Sequence, residues 1–569
     1  MRYFITIILL ILSSALFAED PVVKNVRFEQ RTDGSLIVDI YYDVIAPEGT
    51  PLNVFFEASD DNGQTWDLHC ESLLGEQGRN VTPGRNRHTY WDFFEDNPWV
   101  SGDDYRIRVT AYEAAEGFII TEDTTLVEDI EVPPGAQFAI KINASNVTLD
   151  LGGHTISGSI FSGSIEVAEN LNNITIRNGT LEGFLGAVSL CKCDSVTFEN
   201  LTIRNLDITD PNIFVIGIGL SESEGSVIKD IYFEFPSVAH KEAIVLDRTD
   251  AAVSNIEMHG GSVGVDFGGI GCSESKGSLR NSKFYDLNME AALVQTCNGV
   301  EITDNLIVRN VKGIITEGFE PSSSTGLVIK RNIIRDGGLG IFLAGSDNSI
   351  ITDNLIINNR QEGISIYPSI YEDIFYSTSN IVSENIVVGN TIDLSHHENC
   401  LGNTWERNVS ETKQGEEIPD YVAEKPATAR EFLAKVDSAA AEITSDAQLL
   451  KTNTFKCDTT GNAMRWLYIY GSAAEQKKYE IWLVDGQIIT LDTISRQTEI
   501  YDDNLPLPET WIDSDSAMVI AEEMGGKGFR ERHEIENIFM DLTNTWGLNW
   551  NVFYAAEDTV LNVYFDASM

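Results

Sequence analysis

An Asn recurs every two to three dozen positions through the middle of the chain, each time before or inside an apolar-alternating run. It stands at Asn178, Asn200, Asn255, Asn281, Asn305, Asn332, Asn354, Asn385 and Asn408, with Asp230 in the one remaining place. The gaps are 22, 30, 25, 26, 24, 27, 22, 31 and 23 residues. A period of that length means a solenoid, because one unit cannot bury its own apolar face and must stack on a neighbour. An inward Asn at a bend can bond to amides of the coils above and below, and Asn tolerates a left-handed backbone. The row is therefore expected to be structural, and chemistry is expected at residues beside it.

The first residues set the compartment. Met1-Arg2, an apolar run from Tyr3 to Leu12, and small residues ending at Ala18 form the pattern of a secretory signal peptide over 1–18. The run is too short to span a membrane comfortably. No later apolar run in the 569 residues approaches spanning length, so no membrane span is expected. With 39 Lys and Arg against 88 Asp and Glu, the formal charge is −49. Nucleic acid and anionic membranes are poor partners for such a surface. A polyuronate would need a local Lys/Arg patch or bridging Ca²⁺. Seven scattered Cys are too few for a disulfide scaffold. Cys272 and Cys297 lie one repeat apart, close enough for a bridge, although buried free thiols are the simpler expectation.

Three regions follow the leader. Residues 19–114 carry short alternating strands such as Ser35-Leu-Ile-Val-Asp-Ile-Tyr-Tyr42, with a hairpin turn at Thr32-Asp-Gly-Ser35, and predict a β-sandwich of immunoglobulin or fibronectin type III kind. Inside it, Ser59-Asp-Asp-Asn-Gly-Gln-Thr-Trp66 resembles the Asp-box hairpin. In that motif Asp61 accepts turn amides, Gly63 takes a positive φ, and Trp66 is expected to plug into the core.

Residues 115–410 are the solenoid. Its opening, Asn146-Val-Thr-Leu-Asp-Leu-Gly-Gly-His-Thr-Ile-Ser-Gly158, resembles the first coil of right-handed parallel β-helix proteins. The repeats resemble those of pectate-lyase-like folds and of the periplasmic NosD group. After a linker at 411–425, residues 426–569 lose the period and predict an α+β domain. There Asp513 or Ser514 caps a helix that Gly525-Gly526 is expected to end. The Trp511-Ile-Asp-Ser514 and Tyr564-Phe-Asp-Ala567 segments are similar to PepSY-like modules, which implies an accessory role. The fold class is thus mainly β: a parallel β-helix flanked by a β-sandwich and an α+β module.

The β-helix resemblance implies a site on the outward face of one parallel sheet, walled by long bends. Alternation along that strand puts Asp247, Asp266, Glu317, Phe342, Tyr367 and Asp393 outward, together with Val294 and Thr296. Bends at 207–214, 236–242, 318–325 and 367–379 would flank them. Asp247 and Asp266 fall on neighbouring coils, a separation of roughly 5–9 Å that suits paired-carboxylate glycosidases. Glu317 could assist them in catalysis, and Arg248, Phe342, Tyr367 and Asp393 could hold a sugar. The polygalacturonase-like motif set and the Asp-Pro-His-Glu motif of mannuronan epimerases do not occur. His396 and His397 would face opposite ways on a strand, so no metal site is expected there. Three readings stay open: an exported protein that binds extracellular or envelope polysaccharide without turnover, a hydrolase or lyase of such a polymer, and a NosD-like periplasmic accessory protein.

Overall fold

The computed structural model describes residues 21–568, apart from 492–504, parts of 133–137, 159–163, 206–212, 269–274, 319–322, 371–373 and 421–424, and isolated positions elsewhere. The leader at 1–18 and Cys272 lie outside the described residues. The chain divides into two compact units, residues 1–419 and 420–569.

The first unit opens with two antiparallel sheets. One orders Val22–Gln30, Ile37–Ile45, Gly84–Asp92 and Leu73–Gly75, and the other Gly78–Val81, Leu52–Ser59 and Arg106–Glu113. Alternate residues of each strand face inward: Ile40, Tyr42, Val54 and Trp91 are buried between the sheets. In the Asp-box hairpin, Asp61 accepts from the Gln64 and Thr65 amides at 2.8 and 3.0 Å, and these bonds hold its carboxyl down at about 2. Trp66 departs from expectation. It is only half-buried, with the Arg108 guanidinium 4.4 Å from its ring centroid. The hairpin is latched by turn hydrogen bonds and a cation–π contact rather than by a core plug.

From Phe118 to Gln414 the chain winds as a parallel β-helix. One side of each coil joins a 13-stranded parallel sheet and the rest a 20-stranded one. Inside runs a continuous apolar column in which Ile, Val, Leu and Phe of successive coils stack on one another. The last coil continues past residue 410, since Lys413–Gln414 pairs with Ile392–His396 and Ile418 is buried in the core.

The Asn series separates into two columns one residue apart. In the early coils Asn178, Asn200, Asp230, Asn255 and Asn281 have φ between 51° and 60°. They sit at the surface, bonded side chain to side chain, as Asn200 to Asn178 at 2.9 Å and Asn255 to Asp230 at 2.9 Å. That left-handed column continues through Asp304, Arg331, Asp353, Glu384 and Arg407, all at positive φ. Asn305, Asn332, Asn354, Asn385 and Asn408 stand one residue later and point inward, buried. There each Oδ1 accepts the backbone N–H of the preceding coil, as from Asn305 to Asn332 at 3.1 Å and from Asn332 to Asn354 at 2.9 Å. Each Nδ2 donates to a carbonyl, such as Asn332 to Ile302 at 2.9 Å.

Other bends repeat the device. A second ladder links Gly337, Asn359 and Asn390. A third uses small polar side chains, with Cys193 donating its amide to Ser223, Thr249 to Ser275, and Cys297 to Ser324. Cys193 and Cys297 thus stand where other coils carry hydroxyls.

The second unit is a seven-stranded antiparallel sheet packed on helices Leu433–Ile443 and Ser514–Ala521, with Trp466, Trp511 and Trp550 in its core. Asp513 caps the second helix, accepting from Ser514 at 2.7 Å. Gly525 does not end it. Its φ of 134° forms a kink, and the helix resumes over Lys527–Arg530.

The two Asn columns differ in what they hold, so their loss differs in cost. Asn354→Ala strips partners from the buried Asn332 amide and Ile329 carbonyl and is expected to destabilise by about 2–4 kcal/mol. Asn255→Ala gives up an exposed left-handed residue at about 1 kcal/mol, and Asn255→Gly is expected to be near neutral. Chemical denaturation of the three variants checks that order.

Candidate functional site

Successive strands in the middle of the 13-stranded sheet enter through a triplet of one residue, a small residue and an apolar one, as in Glu242-Ala243-Ile244, Val263-Gly264-Val265, Glu290-Ala291-Ala292, Lys312-Gly313-Ile314 and Glu362-Gly363-Ile364. The small residue is required by close approach: a Cβ on Gly313 would lie 2.3 Å from the Gly340 carbonyl oxygen. Small and apolar residues both face the interior, so the residue before them faces out. Beyond the triplet the usual alternation returns, giving three outward rows across the coils.

The first row reads Glu242, Val263, Glu290 and Lys312, since Glu242 pairs with Val263 and Glu290 with Lys312. The middle row reads Val245, Asp266, Leu293, Ile315, Phe342 and Ser365. The last contains Gln295, Glu317, Ala344 and Tyr367, with Asp247 two coils earlier beside Ser221.

Asp247 and Asp266 are therefore diagonal neighbours on adjacent strands, with side chains starting roughly 7–8 Å apart. Their surroundings differ. The Asp247 side chain is 23 % exposed, accepts from Ser221 Oγ at 2.8 Å and pairs with Arg248 at 3.1 Å. Arg248 also reaches Glu222 at 3.1 Å, which turns it into a strut between coils. Asp266 is only 5 % exposed.

Two further buried carboxylates on this face are ones that alternation did not pick out. Glu290 is 3 % exposed, accepts from Lys312 Nζ at 2.6 Å through Oε1, and its Oε2 is buried without a hydrogen-bond partner. Glu242, two strands away on the same row, also has a buried Oε2 without a partner. Burial, then the neighbouring Glu290 charge, pushes its carboxyl up to about 7. Glu317 is raised as well, chiefly by burial, against a bond from Gln295 at 3.4 Å. Glu242, Glu290 and Lys312 all belong to the entry triplet, and that recurring triplet is the signal in the sequence that would have found them.

Towards the later coils the rows turn aromatic. Phe342 and Tyr367 stack with centroids 5.7 Å apart and planes 19° from parallel. His397 joins them 5.8 Å from Tyr367, and the Tyr367 hydroxyl lies 3.0 Å from Ser395 Oγ. Phe342 follows Ile315 in its row, beside Glu317, so the aromatic stair starts where the carboxylates end. His396 turns the other way, with its ring against Trp405 in the core.

Three expected positions are corrected: Asp393, Val294 and Thr296, the last buried while Gln295 takes the outward place beside Glu317. Asp393 is fully buried: its carboxylate accepts from the Asn390, Glu411 and Thr412 amides at 2.7–3.0 Å and closes the second ladder. It stands where the preceding coils have a glycine, so its side chain enters the bend instead of the groove. Val294 is also fully buried and Leu293 faces out, because Ala291 and Ala292 are both inward and shift the alternation by one. The walls at 207–214, 318–325 and 367–379 fall partly outside the described residues.

The model of the family described as periplasmic copper-binding protein (NosD) matches residues 200–418. No curated protein matches the chain. Among solved structures, the A-module of a mannuronan C-5 epimerase of Azotobacter vinelandii is similar at 10 % identity and a TM-score of 0.36, over 54 % of this chain and 91 % of that one. An exopolygalacturonase of Thermotoga maritima is similar at 11 % identity and a TM-score of 0.34, over 52 % and 81 %. A family 28 exopolygalacturonase of Yersinia enterocolitica is similar at 9 % identity and a TM-score of 0.32, over 70 % and 100 %.

The raised Glu242 carboxyl makes stability depend on pH. The folded chain keeps that proton to about 7, whereas an unfolded Glu releases it near 4.3. The native state thus binds more protons between these values, and the stabilising contribution present below pH ~4 is lost as pH rises through about 7. Glu242→Gln, neutral at every pH, is expected to exceed the wild type in urea-unfolding stability at pH 8 by roughly 1–3 kcal/mol and to match it at pH 4. Equal stability at both would show that Glu242 titrates normally.

Proposed function

We propose that the chain is an exported β-helix protein that binds extracellular or envelope polysaccharide along the outward face of its 13-stranded sheet. The observation that carries this reading is the stacked Phe342–Tyr367–His397 stair, which begins on the strand next to Glu317 and shares an outward face with the buried Asp266 and Glu290. Such a surface offers what a sugar polymer needs: an apolar ring face for the C–H side of a pyranose, and fixed acceptors for its hydroxyls. The parallel strands repeat roughly every 4.8 Å, so successive coils present these groups in line along one chain. Asp247 is taken up by Arg248 and Ser221, which favours binding over turnover through an Asp247/Asp266 pair.

A second reading, a NosD-like accessory protein of the periplasm, is favoured by the family match across residues 200–418, the coils that carry the groove. Among the described residues no group of three or more His, Cys, Asp or Glu gathers as a metal would require. Retention of one equivalent of copper after equilibrium dialysis would carry this reading.

Affinity electrophoresis against a panel of neutral and charged polysaccharides tests the first. Phe342→Ala and Tyr367→Ala are each expected to weaken retention by about 5–30-fold, the worth of one lost stacking contact of 1–2 kcal/mol. Retention that survives both substitutions would remove the groove from consideration, and reducing ends released from a retained polymer would replace binding with hydrolysis.

A further inference from the structure

The binding reading leaves open which kind of sugar the groove takes, and the charge inside it narrows the choice. Four carboxylates, Glu242, Asp266, Glu290 and Glu317, lie on adjoining outward rows, and Lys312 is the cation paired among them. Lys241 precedes Glu242 but reaches back to the Ile213 carbonyl, and Arg248 is held by Asp247 and Glu222.

Unpaired acceptors in a buried site are costly, at about 1–3 kcal/mol each and more when charged. Here two of them lie on one row. Glu290 is 97 % buried with Oε2 unbonded, and the Glu242 Oε2 is buried and unbonded likewise. Their backbones are two strand spacings apart, roughly 9–10 Å, with only Val263 between them. A Glu side chain is long enough to lean over that gap from each side. What both oxygens lack is a donor, and the surrounding acids call for a positive one.

We propose that the groove recognises a glycan bearing free amino groups, a deacetylated hexosamine polymer, whose ammonium donates hydrogen bonds to Oε2 of Glu290 and of Glu242 while its pyranose rings follow the Phe342–Tyr367 stair. This rests on the polysaccharide-binding reading and adds the substrate class to it. An ammonium carries three donors and no acceptor, so it satisfies both orphaned oxygens at once and offsets part of the like-charge repulsion in the cluster. The same carboxylates reject a uronate polymer, whose own carboxylates would add further negative charge at this face. An N-acetylated hexosamine brings an amide with a single N–H and no charge, and leaves one of the two oxygens unbonded.

Isothermal titration of the full chain with glucosamine oligomers, the same oligomers fully N-acetylated, and oligogalacturonate of matched length tests this. The amine form is expected to bind at least tenfold more tightly than the acetylated form, with no binding of oligogalacturonate. Glu290→Gln and Glu242→Gln are each expected to abolish the preference, bringing the affinities for the amine and acetylated forms within about twofold of each other. Glu301→Gln, on the 20-stranded sheet, controls for general loss of negative charge and is expected to keep the preference. Equal or weaker binding of the amine form, or a preference that persists in both Gln variants, overturns the assignment while leaving the groove as a glycan site. Failure of all three oligomers to bind overturns the assignment, and retention of no polymer in the electrophoretic panel overturns the polysaccharide reading as well. Because the comparison is made first in the wild type, a variant that does not fold still leaves the selectivity measured.

Discussion

Every coil of this solenoid turns sharply several times, and each turn strands backbone N–H and C=O groups inside the stack. Water cannot reach them, so the next coil must. The structure depends on that constraint. Asn305, Asn332, Asn354, Asn385 and Asn408 answer it at one bend, Asn359, Asn390 and Asp393 at a second, and a Ser/Thr/Cys column at a third. An Asn amide suits the task because it presents an acceptor and two donors from one short side chain. It satisfies an N–H of one coil and a carbonyl of another, and hands its remaining group to the next Asn.

The ladders fix the register of the sheets, and the register builds the groove. Parallel strands in strict alignment place like positions above one another, so a single Glu at a strand entry becomes part of a row. Glu242 and Glu290 are brought to one row by pairings through Val263, though 48 positions separate them in sequence. The tight packing that makes the fold rigid also keeps water from these carboxylates. A proton held to about 7 by Glu242 is the result. Rigidity serves recognition here: a preformed row of acceptors loses little conformational entropy when a polymer lies along it.

Much of this was legible in the residues. The period gave the solenoid, the alternation gave most outward positions, and Phe342, Tyr367 and Glu317 fall on adjoining rows as the alternation implies. What alternation could not reveal was the entry triplet, where two successive inward residues break the period of two. For that reason Glu242 read as part of a bend, Val294 as outward, and Asp393 as a groove residue. Asp393 in particular looks like any strand aspartate until the glycine of the preceding coils shows how little room its position has.

The sequence by itself determined that this chain must stack coil on coil, since its apolar residues recur at a spacing no self-sufficient unit could bury. It also determined a strongly acidic surface, because composition needs no structure to be read. Only the tertiary structure decided which acids share a face and which of them are dry. It divided one apparent Asn row into an exposed left-handed column and a buried hydrogen-bonded ladder, as a shift of one residue carries a side chain from solvent to core. Burial and neighbouring charge are properties of stacked coils, not of any segment, and they separate Glu242 and Glu290 from the many other carboxylates of the chain.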